Sequence, residues 1–287
     1  MPVRLHPYTL ILLMSLFIAP GTIAQPYIDL LQARYVYSPH TGNIPKDKHS
    51  TELNYLNIGA TLPFQFKNKQ DALVLAPYFE RWESKVDSSP AYNRFHYGIV
   101  LPVSLIKSIP HTNWSLLTMG IVRLNDAVID TKSKWQVGGA ILANYHANSH
   151  VTYKFGIYVN GEFFGLFVIP LVGIDWKIDE KNNLFGVLPA SINYEHQLSH
   201  RFYAGACFRT FTNSYHDAEG NYWRIDENQL GLFFDAYASK RIVFNLEGGY
   251  SLFRKIRTGS YHDITYNLNA ENNLYFKCMV AYRIRMR

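Results

Sequence analysis

The last stretch of the chain dictates its own geometry. From Leu274 onward the even positions read Leu274, Phe276, Cys278, Val280, Tyr282, Ile284 and Met286. The odd positions read Tyr275, Lys277, Met279, Ala281, Arg283, Arg285 and Arg287. A strand sends successive side chains to opposite faces, whereas a helix of period 3.6 would scatter these arginines around its surface. The segment is therefore a strand with one apolar and one charged face. The alternation recurs upstream. Ile242, Phe244, Leu246, Tyr250 and Leu252 face away from Asn245, Glu247 and Ser251, and Leu230, Leu232, Phe234 and Ala236 face away from Gln229 and Asp235. Phe202, Ala204, Ala206 and Phe208 oppose Tyr203, Cys207 and Arg209; Phe95, Tyr97, Ile99, Leu101 and Val103 oppose Arg94, His96 and Ser104; Trp135, Val137, Ile141 and Ala143 oppose Gln136, Asn144 and His146.

Serial segments of about ten alternating residues, separated by turn residues, are the pattern of transmembrane β-strands. Composition agrees. Tyr and Phe, which favour strands, number 21 and 18, while charged residues reach 17% against a typical ~25%. A mean hydropathy of −0.12 excludes a helical membrane protein but suits a barrel with a polar interior. The longest apolar run after the N-terminal region, Phe163 to Ile174, is too short for a spanning helix and contains two Gly and a Pro. The net charge of +6 is not gathered into a basic cluster, so nucleic acid is not expected as a partner.

The expected strands cover 28–38, 53–66, 72–83, 91–105, 114–124, 134–146, 150–160, 165–177, 182–196, 200–212, 227–238, 241–254 and 271–285. That is thirteen, and single-chain bacterial barrels have an even number. Counted from the N-terminus, 39–52, 84–90 and 125–133 are long connections and 67–71 and 147–149 short ones. Counted from the C-terminus, 255–270 and 213–226 are long and 239–240 and 197–199 short. The two counts collide between 150 and 200. Either Leu188-Pro189-Ala190 is a turn, giving fourteen strands, or two segments merge, giving twelve. The expected fold is an all-β, transmembrane, antiparallel up-and-down barrel of 12–14 strands over residues 25–287.

Residues 1–24 have the layout of a signal peptide. Arg4 gives a positive start, Tyr8 to Ala19 an apolar stretch, and Thr22-Ile23-Ala24 a small-residue site, so cleavage is expected before Gln25. Export would place the barrel in a cell outer membrane, with outer-membrane lipid and the barrel-assembly machinery as partners.

Within Gly156 to Phe208 the elements Phe164-Gly165, Ile169-Pro170-Leu171, Gly173-Ile174-Asp175-Trp176, Leu188-Pro189 and Tyr194-Glu195 stand out. On these the chain resembles a domain-of-unknown-function family of Gram-negative (Bacteroidetes-type) outer-membrane β-barrels. The resemblance implies location and fold and brings no catalytic residue. One departure is the C-terminus, Ile284-Arg285-Met286-Arg287, where many such barrels end on an aromatic residue.

If the apolar faces meet lipid, the opposite faces line a lumen. Its expected ionisable residues are Glu80, Arg94, Lys154, Asp175, Glu195, Arg209, Asp235, Glu247, Lys277, Arg283 and Arg285, with His96 and His146 beside them. Five acids against six bases either tune the passage of a small solute or pair with one another and plug the interior. Buried alone they would be too costly, so they are paired or hydrated. The sequence therefore supports a narrow channel or small-solute transporter, with a plugged structural or surface-interaction barrel as the alternative. A third reading, a lipid-modifying enzyme, would draw on Tyr215-His216-Asp217 and Ser260-Tyr261-His262-Asp263 in the two longest loops. No nucleophile motif accompanies them, and no catalytic residue or enzyme activity is assigned. A fourth reading, a secreted soluble β-sandwich, would bury the apolar faces instead.

The histidines lack zinc-type spacing, so neither a metal nor a cofactor is expected. Trp82, Trp114, Trp135, Trp176 and Trp223 fall near strand ends, where aromatic girdles lie. The strand glycines, Gly156, Gly165, Gly173, Gly186, Gly205, Gly231 and Gly248, point to relieved crowding rather than a ligand. Cys207 shares a face with Arg209 and Cys278 shares one with Phe276, so no disulfide is expected between them.

Overall fold

The computed structural model describes residues 26–40, 49–68, 70–86, 93–125, 134–216, 221–264 and 266–286. The expected signal segment 1–24 lies outside them. Fourteen antiparallel strands close into one barrel. They are β1 (Tyr27–Ser38), β2 (Thr51–Ala60, continuing as Leu62–Gln65), β3 (Ala72–Leu75, continuing as Tyr78–Val86) and β4 (Arg94–Ser108). Next come β5 (Trp114–Asn125), β6 (Lys134–His146), β7 (Val151–Glu162), β8 (Gly165–Lys177), β9 (Asn182–Leu188) and β10 (Ser191–Gln197). The last four are β11 (Phe202–His216), β12 (Tyr222–Tyr237), β13 (Ile242–Gly259) and β14 (Tyr266–Asn269, continuing as Asn273–Arg285). Each strand pairs with its chain neighbour, and β1 pairs with β14 from Tyr27↔Arg285 to Tyr37↔Phe276, which closes the ring. A closed ring leaves no edge strand, the condition for crossing lipid.

The choice between twelve and fourteen strands resolves at Leu188-Pro189-Ala190. Phe185 pairs with Asn193 and Val187 with Ser191, so β9 and β10 form a tight hairpin around Pro189 and Ala190. Two connections on the long-loop side, Phe163-Phe164 and Pro189-Ala190, are only two residues long, and this is why the counts by loop length collided. On the opposite end, where the Met286 amide donates to the Pro26 carbonyl, local hydrogen bonds set the turns. Asn148 Oδ1 accepts from the amides of His150 and Val151, Asp179 Oδ1 from Lys181 and Asn182, and Ser239 Oγ from Arg241 and Ile242. Asn, Asp and Ser side chains stabilise turns in this way. The two ends are called the turn end and the loop end below.

Across the middle of the barrel the molecule is inside-out relative to a soluble sandwich. Leu232 is 71% exposed and Leu246 62%, while Asp235 is 0% and Glu247 5% exposed. An apolar surface of this extent around the whole barrel matches lipid, not water. Trp114, Trp135 and Trp176 stand exposed on this outer face.

Toward the loop end the polarity reverses. Arg81, Glu83 and Lys85 on β3 lie on the outside and form ion pairs there, and Arg224 and Asp226 on β12 with Arg257 on β13, mostly buried, pair on the face away from the core. Leu53, Tyr55, Trp82, Tyr215, Trp223, Ile225 and Ile256 point inward and form a buried apolar core. This end is built like a soluble barrel. Trp82 and Trp223, each 1% exposed, therefore belong to that core and not to an interfacial girdle. The segments 213–226 and 255–270, expected as loops, are largely extensions of β11, β12, β13 and β14.

Candidate functional site

The interior has four parts, each positioned by strand register. The first is a charged flank on β10–β14 and β1. In an antiparallel ladder, paired residues share a face, so Asp235↔Asn245, Glu247↔Lys277 and Asp29↔Arg283 point inward together. Near the turn end Arg283 holds two carboxylates: Nε to Asp29 at 2.6 Å and Nη1 to Asp235 at 2.5 Å, with its guanidinium 3.5 Å from the centre of the Tyr27 ring. Arg285 is paired with Glu195, donates to the Tyr237 hydroxyl at 3.1 Å and stacks on Tyr203 at 3.8 Å. Higher in the barrel, Glu247 accepts from Arg209 at 2.7 and 3.1 Å, from the Tyr275 hydroxyl at 2.8 Å, and from Lys277. Above these, Glu227 accepts from Arg254 at 3.1 Å and from Gln229 at 2.9 Å. Inward glycines make room for large rings in this flank. A Cβ on Gly205 would lie 2.6 Å from the Phe233 ring, and one on Gly231 would lie 2.1 Å from the Tyr275 hydroxyl.

The second part is a smaller ion pair on the other wall. Lys154 and Asp175 face each other on β7 and β8 with Nζ and Oδ2 2.7 Å apart. His146 lies nearby on β6 with Nδ1 3.0 Å from Thr152 Oγ1 and Nε2 3.1 Å from Ser115 Oγ.

The third part is a seal at the loop end, where opposite walls touch. Tyr55 and Trp82 from β2 and β3 meet Phe211, and His96 of β4 stacks on Tyr215 of β11 and Trp223 of β12 at 5.0 and 4.9 Å. Beneath these rings Glu80 accepts from Tyr215 at 2.7 Å and Tyr55 at 3.2 Å, with Arg123 Nη2 at 3.8 Å. Beside them, Gln136 donates to Glu162 at 2.8 Å and to Ser214 at 3.0 Å, joining β6, β7 and β11 across the lumen. The β7–β8 tip docks on the same place: the Phe163 amide donates to Ser214 Oγ at 3.0 Å and Arg224 lies 3.8 Å over the Phe164 ring.

The fourth part is a vestibule of about 1090 Å3 at the turn end. Its lining includes Lys177, Arg201, Lys240, Arg241, Arg283 and Arg285, together with His150 and His200, against the single carboxylate of Glu180.

The expected lumen residues thus divide. Glu195, Arg209, Asp235, Glu247, Lys277, Arg283 and Arg285 share the charged flank, Lys154 and Asp175 form the separate pair, and Glu80 anchors the seal. Arg94 sits half-buried at the loop-end start of β4. Sequence reasoning missed Asp29, Arg123, Glu162, Glu227 and Arg254. Arg123 and Asp29 were legible from alternation within strands already assigned. Arg254 was not, because a bulge between Leu252 and Lys255, with Phe253 at φ 54°, moves it to the inner face. Cys207 is buried inside and Cys278 exposed outside, on opposite faces of the wall. Among the described residues no three His, Cys, Asp or Glu side chains gather at metal-holding spacing. Of the loop residues weighed for catalysis, Asp217 lies outside the described residues; Tyr261, His262 and Asp263 are exposed, and His216 packs against Phe163.

An apolar belt outside, an ion-paired lumen inside and a closed fourteen-strand ring define a transmembrane β-barrel of the outer-membrane type. The chain belongs to the family described as Domain of unknown function (DUF6268), whose model matches residues 33–286. No curated protein matches it. Among solved structures it is similar to the NanC porin, at 8% identity and a TM-score of 0.41, over 88% of this chain and 100% of that one. It is similar to the KdgM porin at 7% and 0.36, over 88% and 98%. It is also similar to a deletion mutant of the TodX monoaromatic hydrocarbon channel at 8% and 0.39, over 91% and 90%.

Proposed function

We propose that the protein is a narrow outer-membrane channel or carrier for small solutes, exported through a signal peptide cleaved before Gln25, with the turn end in the periplasm. A Gram-negative source of the Bacteroidetes type, which the sequence resemblance implies, is part of this reading. The observation that carries it is the vestibule, where Lys177, Arg201, Lys240 and Arg241, without an ion pair among the described residues, face the one carboxylate of Glu180. A mouth lined by one sign of charge concentrates counter-ions, so anions are the preferred solute. In the present conformation the seal closes the path at the loop end. Passage requires that the β7–β8 tip and the rings of Trp82 and Tyr215 move apart. The inward residues Glu195, Arg209, Asp235, Glu247, Lys277, Arg283 and Arg285, with Glu80, Arg94, Lys154 and Asp175, then set selectivity along the path.

Planar-bilayer recording tests this reading. The wild-type barrel is expected to give small anion-selective conductances in a salt gradient, and the double variant Trp82→Ala, Tyr215→Ala larger ones. The competing reading, a plugged structural barrel, is favoured by the same seal, whose Tyr215 is 0% exposed. Silence from both proteins, each folded and inserted, would establish the plug and remove the channel.

A further inference from the structure

The lumen is not polar all round. Register places Leu117, Met119 and Ile121 of β5 on the inner face with Arg123, because Arg123 pairs with the inward Gln136 and side chains alternate. Tyr158 of β7 shares the inner face with Lys154, and Ile169 and Leu171 of β8 share it with Asp175. None of these six is fully buried. The inward Asp235, Glu247 and Tyr275 of the charged flank, by contrast, are packed to 5% exposure or less. A partly exposed side chain that points into a closed ring faces open lumen. The open space therefore runs along an apolar wall, while the charged flank fills the other side of the cross-section.

Water against such a wall is unfavourable, and an apolar chain that displaces it is favoured there. The wall ends at the vestibule, where β8 contributes Lys177. Among the described residues Lys177, Arg201, Lys240 and Arg241 make no ion pair, unlike Arg283 and Arg285. An apolar slot thus leads to a mouth with unneutralised positive charge. Ligand sites of this kind, mostly apolar with a few placed polar groups, fix both the body and the orientation of what they bind.

We propose that the lumen binds a single-chain amphipathic anion, its apolar chain along the β5–β8 wall and its charged head among the unpaired cations of the vestibule. This rests on the reading of the lumen as a solute path entered from the turn end. A single chain suits a slot that the charged flank narrows from one side. The head enters last and stays at the mouth, because Lys154 and Asp175 farther in already satisfy each other.

The test uses the full barrel held in amphipol, with folding checked by heat-modifiable migration. The probe is 11-(dansylamino)undecanoate, read by its fluorescence, with dodecyl phosphate, dodecanol and inorganic phosphate as competitors. Saturable binding is expected, with dodecyl phosphate displacing the probe at least tenfold better than dodecanol and inorganic phosphate failing to compete. The triple variant Lys177→Gln, Lys240→Gln, Arg241→Gln is expected to lose about tenfold for dodecyl phosphate and little for dodecanol. Met119→Glu, which places a charge on the wall, is expected to weaken both. Displacement by inorganic phosphate as effective as by dodecyl phosphate would overturn the apolar-wall assignment. No saturable binding to a folded barrel that conducts ions would overturn the inference and leave the channel reading standing. Absence of both binding and conductance would remove the two together.

Discussion

Each buried charge in this barrel is tolerated because a partner sits within hydrogen-bond reach, and Glu247 shows the logic best. It receives Arg209, Lys277 and the Tyr275 hydroxyl on one carboxylate. Removing one member of a buried ion pair typically costs about 3–5 kcal/mol, because the remaining charge is left uncompensated. Glu247→Gln strands two cations at once, so urea unfolding in lipid vesicles is expected to show a loss of about that size. Adding Lys277→Met should recover part of it, since one of the stranded charges is removed. Equal stability of Glu247→Gln and wild type would mean that water, and not this cluster, solvates the flank. Much of the cluster was legible residue by residue: Asp235, Glu247, Lys277, Arg283 and Arg285 lie on the charged side of plain alternation. What alternation cannot supply is pairing, because Arg209 and Glu247 are on different strands and meet only through register.

Among the elements, those that escaped sequence reading broke the rule used to find them. The loop-end parts of β11, β12 and β13 alternate, but with the phase of a soluble barrel: Trp223, Ile225 and Glu227 point in and Arg224 and Asp226 point out. A search for apolar outer faces passes over them and records loops. The β13 bulge effects the change of phase on its strand. One extra residue sends Phe253 to the outside at 72% exposure and turns Arg254 and Ile256 inward. Deleting Leu252 and Phe253 together should flip the phase beyond Ser251, aim Lys255 and Arg257 at the apolar core and expose Ile256, whereas deleting Phe253 alone closes the bulge and keeps Arg254 and Ile256 inward. The double deletion is expected to lose the faster-migrating folded form on unheated gels, whereas the single deletion keeps it. Retention of the folded form by the double deletion would show that the phase of this strand end is dispensable. The short β9–β10 hairpin was harder to read because Pro189-Ala190 is a turn without a long loop, so only the parity of the strand count betrayed it.

For the whole molecule, the consequence of these phases is a barrel with two solvents. Its middle meets lipid with Leu232 and Leu246, and its loop end meets water with Arg81, Glu83 and Lys85. Charge on a lipid-facing position costs about 2–4 kcal/mol near the bilayer midplane. Leu232→Arg is therefore expected to destabilise the vesicle-inserted barrel by roughly that amount, while Lys85→Leu at the exposed loop end changes stability far less and chiefly loses the surface ion pairs with Glu52 and Glu83. Similar losses from both substitutions would mean that the two zones are not distinct. The general character of the fold, a closed barrel with an apolar outside, could be read from serial alternation. The seal and the vestibule could not, since both arise where opposite walls or separate turns come together in space.

The central claim is that the apolar faces meet lipid in a closed barrel. Membrane fractionation of the expressed chain, followed by electrophoresis with and without heating, tests it most directly. The account predicts recovery from outer membranes and an unheated form that migrates faster than the heated one. A soluble protein whose migration is indifferent to heating would contradict it, and the apolar faces would then have to be buried in a core of a different fold.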